Sequence, residues 1–134
     1  MASIGTIRAG IATNLGTIAG LRTSAWVPDQ INPPIAVVKP ESISYDTAFG
    51  RGLDTMEFSV LCIVGRVEER TAQATLDAYC ATTGTASIKA AIESNPTLGS
   101  AISDLRVTEM RNYTSLSVGD VTYLAAEFVV QVFA

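Results

Sequence analysis

The chain has 134 residues, of which 48% are hydrophobic and only 16% charged, with a net charge of −4 and no histidine. Soluble domains carry roughly 25% charged residues, so part of this surface is expected to be buried against partners unless the core is unusually large. Lys39, Lys89 and the arginines are scattered; no basic stripe is present to displace counterions from a nucleic-acid backbone, which argues against direct DNA wrapping.

The length suits one domain spanning residues 1–134. In the N-terminal stretch, Ile4, Ile7, Ile11, Leu15 and Ile18 recur every three or four residues. That spacing predicts a helix with one apolar stripe, with Ser3 as its N-cap and Gly20 as its stop. Gly5, Gly10 and Gly16 weaken it, each by up to about 1 kcal/mol relative to alanine. Tertiary packing must therefore hold the helix, or the glycines let another backbone approach closely. Thr6, Arg8, Thr13, Asn14 and Thr17 interrupt the stretch as a signal-peptide core. No run approaches the ~20 apolar residues of a membrane span, so a soluble protein is expected.

Pro28, Pro33, Pro34 and Pro40 punctuate the next segment, excluding a long helix or a central strand. Short extended pieces are expected at Ser24–Val27 and Ile35–Val38, with Trp26 anchored in the core or, as the one tryptophan beside a proline turn, serving as an exposed contact. "SISYD" alternates as a half-buried strand through Ile43 and Tyr45, and "MEFSVLCIVG" alternates through Met56, Phe58, Val60, Cys62 and Val64.

Between these strands lies "TAFGRGLDT". A phosphate-cradling loop leads into a helix, whose N-terminal N–H groups hold the anion. Gly50 and Gly52 lead into a strand instead, and the GK[ST] ending is missing. The reading favoured here is a hairpin arm presenting Phe49, Arg51 and Leu53 to a protein partner; an ordinary solvated turn is the alternative.

"VEERTAQATLDAYC" reads as the best helix. Glu68 and Glu69 sit in its first turn, where the dipole favours them. Ala72, Leu76, Tyr79 and Cys80 form its inner face, with Arg70, Gln73 and Asp77 outside. A shorter helix, "SIKAAIES", is capped by Thr85 or Ser87 and turns Ile88, Ala91 and Ile92 inward. In "AISDLRVTEMRNY", Leu105, Val107 and Glu109 alternate with Arg106, Thr108 and Met110. "SVGD" then turns the chain into "VTYLAAEFVVQVFA", apolar enough to require a central position. The element order predicts an α+β fold: a mainly antiparallel sheet packed against an N-terminal helix and two central helices, as a single-domain sandwich.

Enzyme chemistry has little to work with. The commonest general base and metal ligand is missing with histidine. Neither Cys62 nor Cys80 has a basic near neighbour in sequence, and they are expected as a reduced, intracellular pair, a disulfide remaining open. Asp54 with Glu57, and Glu68 with Glu69, have ordinary structural roles as a hairpin flank and a helix start. Catalytic, metal and cofactor-binding residues are therefore expected to be none.

The segment from "WVPDQINPPIAVVKP" through "SISYD", the apolar strand, "ERTAQATLDAY" and "GTASIKAAIE" together resemble the small tail terminator proteins of long-tailed bacteriophages, particularly those of actinobacterial hosts. Trp26, Pro33, Pro34, Pro40, Tyr45, Leu76 and Tyr79 carry the likeness and are architectural. The resemblance implies a ring of six copies that caps the finished tail tube and stops its polymerisation. Such a ring faces the head connector and passes the genome through its lumen without specific DNA binding. It would assemble in the host cytoplasm and reside at the head-proximal end of the virion's tail. Its partners would be further copies of itself, the tail tube protein and the head–tail connector or completion protein, with no membrane. Phe49, Gly50, Arg51, Gly52 and Leu53 are then the expected interface arm, and Glu68, Glu69 and Asp77 the expected lumen or inter-subunit residues. A head completion or connector subunit is an alternative from the same particle. A small ligand-binding or enzymatic α+β domain is an alternative of another class.

Overall fold

The computed structural model describes residues 4–18, 21–24, 34–45, 54–66, 70–95, 97–98, 102, 104–118 and 121–133. The chain runs α1 (Ile4–Leu15), β1 (Arg22–Ser24), β2 (Ile35–Ser44), β3 (Thr55–Arg66), α2 (Arg70–Tyr79), α3 (Ile88–Ile92), β4 (Asp104–Val118) and β5 (Val121–Phe133). The strands form one open sheet in the order β1-β2-β3-β5-β4. Among the described strands, only the β1–β2 pair is parallel. This is the expected mainly antiparallel α+β sheet, with β5 inside it.

All three helices pack on one face. Ile7, Ile11 and Leu15 of α1, Ala72, Leu76 and Tyr79 of α2, and Ile88, Ala91 and Ile92 of α3 join Met56, Phe58, Val60, Cys62 and Val64 of β3 in one core. The predicted stripes therefore face inward, and Ile18 continues the first of them beyond the end of α1. Gly10 serves a close approach by a side chain rather than by backbone: a Cβ there would lie 3.1 Å from Leu98 Cδ1. The opposite face carries a smaller apolar group, Ile35, Val37, Ile63 and Ala125, in which none of the described helices takes part.

Asn14 ties two helices together. Its side chain is buried, and Nδ2 donates to the carbonyls of Ile92 (2.9 Å) and Asn95 (3.3 Å). The end of α3 thus has partners for carbonyls that no helical N–H reaches. At the other end of α3, Ser87 is the N-cap, accepting from Ala90 N at 3.1 Å and donating to Ala81 O at 2.6 Å.

Several boundaries differ from expectation for physical reasons. β1 begins at Arg22 rather than Ser24; Ser3, Gly20, Trp26, Pro28 and Pro33 lie outside the described residues. Ile35–Val38 and "SIS" form a single strand through Pro40, with a register shift between Pro40 and Ser42. Among the described residues β1 pairs with β2 only as far as Val37, so no described strand asks Pro40 for an outward N–H. Tyr45 is 68% exposed rather than half-buried, because the ladder ends at Ser44 opposite Thr55. β4 runs on to Val118, past the expected end at Tyr113. Its alternation also fails: a shift between Val107 and Glu109 sets Glu109 opposite Val129 and Met110 opposite Phe128. The extra residue of the bulge, Thr108, turns Glu109 to the face away from Leu105 and Val107.

Candidate interaction surface

The hairpin residues Phe49, Gly50, Arg51, Gly52 and Leu53, with Glu68 and Glu69, lie outside the described residues. What the structure establishes is their frame: β2 and β3 pair antiparallel up to Ser44 and Thr55. The glycine loop therefore closes a hairpin and opens into a strand. Asp77 is exposed on the outer face of α2, and its Oδ1 accepts a hydrogen bond from Tyr113 Oη at 2.8 Å. That carboxylate raises the Tyr113 phenol above its ordinary pKa, mainly through the hydrogen bond. Asp77 thus fastens α2 to β4 instead of standing alone.

A charge cluster that the sequence reading missed is centred on Arg111. Its guanidinium lies 3.0 Å from Glu127, 3.6 Å from Glu109 and 3.9 Å from Glu57. Asn112 Nδ2 adds a bond to Glu127 Oε2 at 3.0 Å. Asn112 has φ of 56°, a left-handed conformation asparagine tolerates better than most residues, and it sits at the second register shift of β4, between Arg111 and Thr114. Glu127 is held below the ordinary carboxylate range, first by the neighbouring Ser59 hydroxyl and then, against the opposing effect of burial, by Arg111 and Asn112. The Ser59 hydroxyl is fully buried and lies beside Glu127 without a well-formed hydrogen bond of its own. Three carboxylates around one guanidinium leave this patch with excess negative charge. Cross-strand register would have revealed it, but two bulges hide that register from any alternation pattern.

Glu93 bridges α3 to the sheet. Its Oε2 accepts from Lys89 Nζ at 2.6 Å and from the Val107 backbone N–H at 2.9 Å. Burial opposes ionisation, but these two bonds prevail and lower its pKa. Beside it an open groove of about 470 Å3 is lined by Lys89, Glu93, Asp104, Leu105 and Arg106. Among the described residues no group of three or more His, Cys, Asp or Glu side chains is placed to hold a metal.

The cysteines are both free. Burial pushes the Cys62 thiol far above its ordinary pKa, with Cys80 adding to the effect. Burial also raises Cys80, followed by Asp77. Both thiols therefore stay protonated at neutral pH and are poor nucleophiles.

The sheet's two margins are unlike. On one side, β2 has no described strand beside it from Val38 onward, since the last described pair with β1 is Ser24 opposite Val37. On the other, β4 is an edge strand of 15 residues. Edges of this kind present backbone groups to any strand that approaches. Compared with models of known protein families and with curated proteins, the sequence matches none of them. No helix among the described residues is long and apolar enough to cross a membrane.

Proposed function

We propose that this chain is a structural subunit that assembles head-to-tail with copies of itself into a ring. In the particle suggested by the tail-terminator resemblance, the ring caps the tail tube of a long-tailed bacteriophage, ends its polymerisation and joins the tail to the head connector. The observation that supports this most is the pair of unlike margins on a single sheet, the three-residue β1 on one side and the 15-residue β4 on the other, with no further described strand beside either. A cyclic assembly above a dimer needs two different complementary patches per subunit, because each contact repeats around an axis. The low charge content agrees with surface destined for burial. A net charge of −4 suits a lumen past which DNA slides without sticking. Phe49 and Leu53, on the β2–β3 hairpin, are the proposed arm toward the tube protein or a neighbouring copy.

Immunogold labelling of purified virions tests the placement. Label confined to the head-proximal end of the tail tube supports the terminator role. Label at the head vertex instead favours the connector alternative, and absence from virions rejects both. In parallel, the Phe49→Ser/Leu53→Ser double variant is expected to give tails of irregular length. Unaltered assembly and tail length would remove the hairpin from the proposal.

A further inference from the structure

The hydrophobic core comes to the surface between the end of α2, α3 and β4. There Cys80, Ala81, Lys89, Val107, Met110 and Phe128 line an open, mostly apolar cavity of about 160 Å3, with room for one large apolar side chain. Among the described residues, the large hydrophobic side chains left exposed are Tyr45, Met110 and Tyr113. Met110 is in the wall of this cavity, and Tyr113 lies three residues along the same strand, bonded to Asp77 of α2. The sulfurs of Cys80 and Met110 make an aromatic ring the favoured occupant. The charges nearby are mostly acidic: Asp77 and Glu109 are exposed, while Lys89 is already engaged by Glu93 at 2.6 Å. Residues 46–53, outside the described structure, join Tyr45 to Asp54, and the strands flanking them are paired as far as Ser44 and Thr55. They contain Phe49 and, two residues on, Arg51, an apolar ring followed by a cation that suits an acidic rim.

We infer that Phe49 of one copy of this chain enters the cavity beside Cys80 and Met110 on a second copy, with Arg51 meeting Asp77 at its rim. This rests on the head-to-tail reading above and names what the hairpin grips: another copy, not the tube protein. Chain length argues against docking within one copy. Ser44 pairs with Thr55, and Thr55 with Phe133. Phe128 in the cavity wall lies five residues back along β5 from Phe133 and two strands across from Ser44, a separation of about 20 Å. Phe49 is five residues from Ser44, so even a fully extended chain carries its Cα at most about 18 Å. That path would also run straight back over the face the helices occupy. Leu53, two residues from Thr55, reaches no more than about 7 Å and is left outside the cavity. Arm and cavity are two different patches, so their contact is heterologous and repeats around an axis as a ring requires. It needs no pairing between strand edges.

The test reads self-association by sedimentation, in the state where the wild-type chain is multimeric, alone or with tail tubes. Phe49→Ala, which empties the cavity, and Ala81→Trp, which fills it from its exposed rim, should each weaken self-association about tenfold or more. Combined, they should lose little beyond either single change, because ring and cavity form one contact. Wild-type-like association of Phe49→Ala, or losses that add, overturns the inference. Cross-linking keeps it testable should Ala81→Trp unfold the chain. Burial raises the Cys80 thiol and slows it, so the acceptor is placed at the exposed Met110 instead. Phe49→Cys/Cys80→Ala chains mixed with Met110→Cys/Cys80→Ala chains and mildly oxidised should give disulfide-linked dimers, and neither chain alone should. A multimeric mixture without such dimers overturns the inference. So does a Phe49→Cys/Met110→Cys/Cys80→Ala chain that closes its disulfide within a monomer. Rings that form normally while Phe49→Ser/Leu53→Ser tails vary in length assign the arm to the tube, overturning this contact and leaving the ring reading in place. A wild-type chain that stays monomeric alone, and with tail tubes, overturns both.

Discussion

The two faces of the sheet have different work. On the helix-bearing face, Phe58, Val60, Leu76, Ile88 and Ile92 are essentially fully buried, and the polar groups admitted there, Asn14 and Ser87, bond to backbone. Around Arg111 on the other face, toward the β4 edge, charges sit at 3.0–3.9 Å and remain partly in water. Exposed pairs of this kind add roughly 0–1 kcal/mol each to folding, whereas a single buried aromatic contributes several times as much. Stability is thus concentrated under the helices. The charged margin contributes little to folding, which leaves it available for recognising partners.

That contrast can be broken from the core side first. Phe58→Ala should cost about 3–5 kcal/mol in urea unfolding by leaving a cavity beneath the helices; a loss under about 1 kcal/mol would mean that this face is loosely packed. Asn14→Ala should cost about 1–3 kcal/mol, since the Ile92 carbonyl loses the Asn14 donor while Asn95 O keeps the Leu98 N–H. Hydrogen exchange should then open α1 and α3 together. Ser87→Ala, which removes the α3 cap, should cost about 1 kcal/mol. Arg111→Ala should cost less than about 1 kcal/mol in the monomer.

The smallest effect expected is a pH dependence. The Glu93 and Glu127 carboxyls titrate below their ordinary range in the folded chain. At acid pH the unfolded chain therefore binds more protons, and stability rises with pH through that region. The contribution is complete above the unfolded pKa of about 4.3 and is lost as pH falls through the lower folded values. Glu93→Gln and Glu127→Gln should each flatten the acid limb of a thermal-stability profile while leaving its neutral region nearly level.

Apolar spacing was enough to place α1, α2, α3 and the inward residues of β3, because burial on one face imposes periods of 3.6 and 2 that local sequence displays. The edge strands were harder to read. At Glu41 and Thr108 an extra residue shifts the pairing, so Glu109 turned away from the side that strict alternation assigned it. Tyr45 looked half-buried by the same alternation, but its strand had already ended. Asn14 looked like a simple polar interruption, since its carbonyl partners lie 78 and 81 residues away. The Arg111 cluster needs three strands in register before its members meet. Long-range pairing, with no local signature, carries all of these features.

The central claim is that unlike margins of one sheet close a ring of copies. It is tested most directly by the mass distribution of the wild-type chain, measured by sedimentation and by electron microscopy, alone and with tail tubes. A single closed multimer, with the rings seated at one end of each tube, is the expected result. A monomer under every condition, or filaments that grow without closing, would contradict it.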